Sequence, residues 1–310
     1  MRKNRTVRLA KKIGESIVER AKKITLPFFD NVPLYDVGLF FWRSIVDGAI
    51  STRASAIAFS FFMALFPFII FLFTLIPYIP IHNFQDELFV IIQQLVPEST
   101  FSTVESTVND IIRQPRGGLL SLGFFAALIF STNGLASMMS AFDATIHEIN
   151  RRSWISQRIA AIYLLIILFT LLTATIALLT GGQQLIRYLD NKDVIRDDFM
   201  FILLTTGKWI ISIALFFFTF SFLYYMAPAK KTKWRFISAG GSLATLLSIG
   251  AFYGFAYYIN NFSRYNTLYG SIGTLLIILL LLYVMSLILL VGFELNASIY
   301  QARSCQDEKV

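Results

Sequence analysis

Residues 271–293 read SIGTLLIILLLLYVMSLILLVGF, a run without a single Asp, Glu, Lys or Arg. A helix rises 1.5 Å per residue, so about 20 apolar residues cross the roughly 30 Å hydrocarbon core of a bilayer. This stretch is long enough to do so. Five further segments share its character, at 49–76, 118–141, 155–180, 201–226 and 236–259. The pattern predicts an all-α, polytopic membrane protein with six transmembrane helices in one bundle.

Composition agrees. Of 310 residues, 56% are hydrophobic and only 15% charged, against about 25% charged in a typical soluble domain. A soluble core of that size would need a charged surface that this chain lacks. The net charge of +8 invites a nucleic-acid reading, but its distribution argues against one. Nine Lys and Arg fall within the first 23 residues and four more between Lys230 and Arg235. Such clusters flank apolar spans as cytoplasmic anchors do and bind membrane lipids. The one cysteine, Cys305, excludes thiolate zinc sites and intramolecular disulfides. No cleavable signal peptide is expected: the basic start is too long, and strong apolarity begins only near Val37. The first span is expected to act as the insertion signal.

The loops set the direction. The N-terminal segment, the second-to-third and fourth-to-fifth connections and the tail hold 18 Lys and Arg, and the opposite loops hold 6. The positive-inside bias therefore predicts both termini in the cytoplasm, which six spans allow. The expected organisation is a cytoplasmic basic arm and interfacial helix at 1–48, a membrane domain at 49–300, and a cytoplasmic tail at 301–310. Trp42, Trp154, Trp209 and Trp234 all fall beside or just inside span ends, where amphipathic rings favour the headgroup level.

Between the spans, residues 37–48 suggest an interfacial helix with Phe40, Phe41 and Ile45 as its apolar face. Residues 7–24 suit either a helix on anionic lipid or a solvated basic arm. The connection at 77–117 is expected to be an extracytoplasmic helical loop, either a cap or a recognition element. The loop at 181–198 is short and mixed in charge.

An ionisable residue within a span costs about 2.5–3.5 kcal/mol at the bilayer centre on insertion scales, so each needs an explanation. Arg53, near the start of the first span, and Glu294, near the end of the sixth, fall at similar depth. They either pair or reach headgroups separately. Lys208 either snorkels, with the fourth span starting at Lys208–Trp209, or is buried for function. Asn133 lies in a polar run with Ser131, Thr132, Ser137 and Ser140, which would bond helices together or line a polar route. Pro67 removes one backbone bond and is expected to kink the first span. Gly240, Ala244 and Ser248 at four-residue spacing, with Gly250 and Gly254, predict a close-packing face for the bundle or for a homo-oligomer. Arg264, in NNFSRYNTLYGSIG, stands either at the rim of an extracytoplasmic mouth or in a tight turn.

Catalytic signatures are missing. The two histidines, His82 and His147, are expected on opposite sides of the membrane, and there is no P-loop, nucleotide-binding glycine pattern or nucleophile elbow. No metal or cofactor is expected, and no enzyme activity. Three spans in each half would permit an inverted repeat, without visible internal similarity.

The sequence resembles the YihY/BrkB family of six-span bacterial inner-membrane proteins. The resemblance rests on RASAIAFSFFMALFPFIIFL from Arg53, on GLLSLGFFAALIFSTNGLASMMSAFDATI in the second span, and on YYMAPAKKTKWRFISAGGSLATLL from Tyr224. It is carried further by Tyr269, Gly270 and Ser271, similar to the family's YGS signature, and by Gly292, Glu294, Leu295 and Asn296, similar to its GxELN pattern. The second span departs, with IFSTNG where members often have a Trp-Ser stretch. The resemblance implies an inner-membrane location and an unsettled function. The ribonuclease BN label once given to the family finds no support in these residues, and some members are linked to serum resistance or virulence. The leading expectation is transport or export of a small solute or lipid. The alternative is a structural or envelope-integrity protein, and a hydrolase comes third.

Overall fold

In hydrocarbon no water satisfies backbone N–H and C=O groups, so an isolated apolar segment closes its hydrogen bonds within itself, as a helix. The computed structural model describes residues 25, 29, 32–78, 114–144, 152–192, 198–229, 237–261 and 264–307. Helices α1 (Leu34–Asp47), α2 (Ile50–Leu75), α3 (Gly117–Asp143), α4 (Trp154–Asn191), α5 (Asp198–Met226), α6 (Ala239–Asn261) and α7 (Arg264–Asp307) follow one another, with a short 3-10 turn at Ile76–Tyr78. Six of them, α2 to α7, are long and apolar enough to cross a membrane. Their outer surfaces are apolar too: Ile155, Ile159, Tyr163, Ile166, Phe169, Leu172 and Ile176 of α4 are all exposed. Such a continuous apolar surface suits lipid as solvent.

Helices overrun several expected boundaries. α4 continues from the apolar run through GGQQLIRYLDN to Asn191, so most of the loop expected at 181–198 is helix. Gln, Leu and Arg are good helix formers, and their contribution offsets the glycine pair. The connection NNFSRYNTLYGSIG is not a loop from Arg264 onward: Arg264 opens α7, and Tyr269 and Gly270 lie in its first turns. The tail expected from 301 is helical through Asp307. α2 is unbroken through Pro67. Residues 7–24 and the amphipathic stretches of the 77–117 connection lie outside the described residues.

The chain divides into two compact units, one drawn from 1–57 and 135–310, the other spanning 58–134. In the second unit, Phe71 and Phe124 rings meet at 5.6 Å, and Gly123 lets the Phe71 backbone come close. In the first, α4 packs along α5, α5 against α6, α6 against α7, and α1 against α7. Phe142 lies stacked on Phe293 at 4.1 Å and edge-on to Tyr224 at 5.9 Å.

α6 and α7 approach each other closely. A side chain at Gly240 would collide with the Gly292 carbonyl, and one at Gly292 with the Tyr224 hydroxyl and, at 2.9 Å, with Ala244. Ala244 and Ser248 are fully buried, so the small-residue face expected of this helix is real as far as Ser248. Gly250 and Gly254 do not belong to it. Both are exposed, and a Cβ at either would meet nothing within 4 Å. Gly240→Ala and Gly292→Ala should therefore cost about 1–3 kcal/mol by overpacking, seen as a lowered thermal midpoint in detergent. Gly250→Ala and Gly254→Ala should be neutral or stabilising, since alanine is the better helix former.

Candidate functional site

A helix leaves its last four carbonyls and first four N–H groups without intrahelical partners. In the first unit several such ends meet, and the polar side chains among them make the site. Arg53 stands in the first turn of α2. The chain reaches it through Gly48 and Ala49, the latter at a φ of 46°, a left-handed conformation that costs a non-glycine residue about 1–2 kcal/mol. A side chain at Gly48 would meet the Ser44 carbonyl and, at 2.9 Å, Nη2 of Arg53, so glycine here gives the guanidinium its room.

From there Arg53 donates through Nη2 to Oε1 of Glu294 at 2.6 Å and through Nη1 to the Ala141 carbonyl at 2.9 Å. Glu294 is fully buried on α7, and the Arg53 side chain is 12% exposed. The two charges thus pair. The Ser140 carbonyl is taken by the Ala144 N–H, and Ala141 is the next carbonyl along the end of α3. A guanidinium there also complements the negative end of the helix dipole.

A second clasp lies at the start of α4. Arg152 donates to the carbonyls of Met226, Ala227 and Pro228 at 3.2, 3.1 and 2.8 Å, closing the end of α5. Asp143 Oδ1 accepts the Ala229 N–H at 2.8 Å. Gln157 Nε2 donates to the Ala136 carbonyl at 3.1 Å and to Ser140 Oγ at 3.0 Å, tying α4 to the end of α3. A third clasp opens α6: Asn296 Oδ1 accepts the Gly240 N–H at 2.8 Å and Ser238 Oγ accepts that of Gly241 at 3.0 Å. Asn296 Nδ2 completes the ring by donating to Ser238 Oγ at 3.2 Å. The starts of the first, third and fifth spans and the ends of the second, fourth and sixth therefore share one assembly.

Two other expected sites, Asn133 and Lys208, fall elsewhere. Asn133 lies on the exposed side of α3, in the second unit, and Thr132 bonds its own helix at the Leu128 and Ile129 carbonyls. Within the polar run, Ser140 receives a bond from Gln157 of α4. Lys208 is buried, ten residues after the start of α5 at Asp198, so the helix itself does not begin at Lys208 but runs through 199–207. Its stem lies 3.2 Å from where a Cβ on Gly182 would be, and its Nζ sits 5.4 Å from the Trp209 ring centre. Gly182 makes the groove that holds the lysine in the α4–α5 seam. Among the described residues, no three of His, Cys, Asp and Glu come together as metal ligands. Arg152, Asp143, Gln157, Ser238, Gly48 and Gly292 were not singled out as site residues from the sequence.

The family described as Virulence factor BrkB matches residues 41–309. The ribonuclease-like protein YfkH of Bacillus subtilis (strain 168) is 31% identical over 258 residues, 83% of this chain and 92% of its own length. A UPF0761 membrane protein of Haemophilus influenzae (strain 86-028NP) is 21% identical over 276 residues, 86% of this chain and 96% of its own. Another, from Xanthomonas axonopodis pv. citri (strain 306), is 25% identical over 282 residues, 87% of this chain and 62% of its own. No solved structure matches the chain.

The pairing of Arg53 with Glu294 makes a measurable forecast. Arg53→Met or Glu294→Leu alone strands a buried charge and should cost about 3–5 kcal/mol. The double replacement should recover most of that loss. A double-mutant cycle on thermal unfolding in detergent measures it.

Proposed function

The chain belongs to the virulence factor BrkB family, and from that premise we propose that it carries a small solute or lipid across the bacterial inner membrane, with both termini in the cytoplasm. The observation that carries this reading is the buried Arg53–Glu294 pair, which joins the first and sixth spans and the end of the second. Apolar side chains of similar volume would often hold such a junction as well or better. A salt bridge differs in being exchangeable: a competing ion, proton or headgroup can replace either partner. Placed at the common end of the spans, it acts as a lock on the cytoplasmic side of a transport path. Orientation follows from the loop charges, 18 Lys and Arg on the side of this assembly against 6 on the other.

The protein is not an enzyme on this reading. The name of YfkH says ribonuclease-like, but this chain has two histidines and one cysteine. Glu294, the buried carboxylate of the site, is engaged by a guanidinium rather than facing a nucleophile. A second reading, a structural protein without flux, draws on the close Gly240–Gly292 contact, which suits a permanently closed bundle.

Proteoliposomes separate the two. Transport predicts movement of fluorescent phospholipid analogues or trapped small solutes above that of empty vesicles. Glu294→Gln, if folded and monodisperse, should change that rate several-fold. Absence of movement for every cargo, with the substitution altering stability alone, supports the structural reading. Topology has its own probe in Cys305, the one cysteine of the chain and an exposed one. In intact spheroplasts it should react with a membrane-permeant maleimide and be protected from an impermeant one. The reverse pattern places the C-terminus outside.

A further inference from the structure

Helix α1 has two opposite apolar faces, and among the described residues only one of them is covered. Leu34, Val37 and Phe40 lie on one side, against Ile299 and Ala302 of α7, with Phe29 and Val32 completing the cluster. At 100° per residue, Leu39, Trp42 and Val46 fall within about 60° of one another on the other side. They are 37%, 67% and 59% exposed. Asp36, Arg43 and Asp47 occupy one flank between the two faces. This corrects the expected apolar face of Phe40, Phe41 and Ile45, since Phe40 is docked on the protein.

We propose that the Leu39–Trp42–Val46 face seats in phospholipid, at the boundary between headgroups and acyl chains on the side of the helix-end assembly. Three observations fix lipid as the occupant. α1 runs into α2, a membrane-spanning helix, after only Gly48 and Ala49, so it is held at the surface where that span enters. The exposed face centres on tryptophan, which favours the interface. The first 23 residues, separated from α1 by ten more, carry nine Lys and Arg, complementary to anionic headgroups. With the opposite face docked on α7, α1 is a wedge between protein and lipid, and its C-terminal Gly48 abuts Arg53.

The test uses the full chain in mixed phosphatidylcholine–phosphatidylglycerol nanodiscs. Trp154→Phe, Trp209→Phe and Trp234→Phe leave Trp42 as the sole tryptophan. Seating in lipid predicts several-fold stronger quenching of Trp42 by a spin label on the headgroup or upper acyl chain than by aqueous iodide. Iodide quenching with no lipid quenching would overturn the proposal and put the face in water. Protection from both quenchers, together with disulfide-linked dimers of Trp42→Cys in a Cys305→Ser background, would overturn it in favour of a second copy of the chain. Should the tryptophan-depleted variant fail to fold, a nitroxide on that same cysteine decides: greater access to oxygen than to a water-soluble nickel chelate supports lipid, and the reverse overturns it.

Discussion

A helix in a bilayer satisfies its own backbone everywhere except at its ends, where carbonyls and N–H groups have no partner along the chain. The polar chemistry of this protein is concentrated where those ends fall. Arg53 closes the end of α3, Arg152 that of α5, and Asn296 with Ser238 the start of α6. Each clasp comes from a different helix than the one it closes, save that Ser238 caps its own. Capping and bundle assembly are thus one set of bonds. The charge is tolerated because each guanidinium meets several acceptors at once, and buried charges are stable only when so compensated.

The clasps demand close backbones, and small residues supply the approach. Gly48 clears space for the Arg53 guanidinium, and Gly182 for the Lys208 stem. At Gly240 and Gly292 two helices come near enough for the Asn296 side chain to reach a backbone N–H of its neighbour. Without such glycines the polar groups would be held apart and left buried without bonds, which costs about 1–3 kcal/mol each.

The spans were legible because hydrocarbon thickness imposes a length and a composition that few other constraints mimic. Arg53 and Glu294 were legible as a candidate pair because both are charges at matching depth. Arg152 was not, since among basic loop residues it reads only as orientation, and its partners are carbonyls, which every residue has. Asp143 was hidden for the same reason, its partner being a backbone N–H. Gly250 and Gly254 pack against no other helix among the described residues; spacing places glycines on a helix without saying whether a neighbour of the same chain stands there. The loop after Asn260 misled because turn-forming residues bias the chain toward turns weakly, and the helix of the sixth span extends back over them.

The contacts around α7 also constrain how the assembly would open. Its partners engage it in two ways. Phe142 lies flat on Phe293, a contact that can slide with little loss because dispersion is non-directional. The Tyr224 hydroxyl bonds the Leu289 carbonyl at 2.9 Å, Ser51 and Tyr283 hydroxyls meet at 2.8 Å, and Glu294 and Asn296 hold their partners across the same helix. Hydrogen bonds weaken steeply with angle and distance, so these do not slide. Opening this side by tilting α7 would break them together, and their cost would add. Opening at the α2–α7 junction would break the Arg53–Glu294 pair, for which an ion or an anionic headgroup offers a direct replacement, together with the Ser51–Tyr283 bond between the same two helices. On the transport reading proposed above, the α2–α7 junction with its exchangeable ion pair would be the joint, and the Tyr224 and Asn296 bonds would hold α7 to α5 and α6.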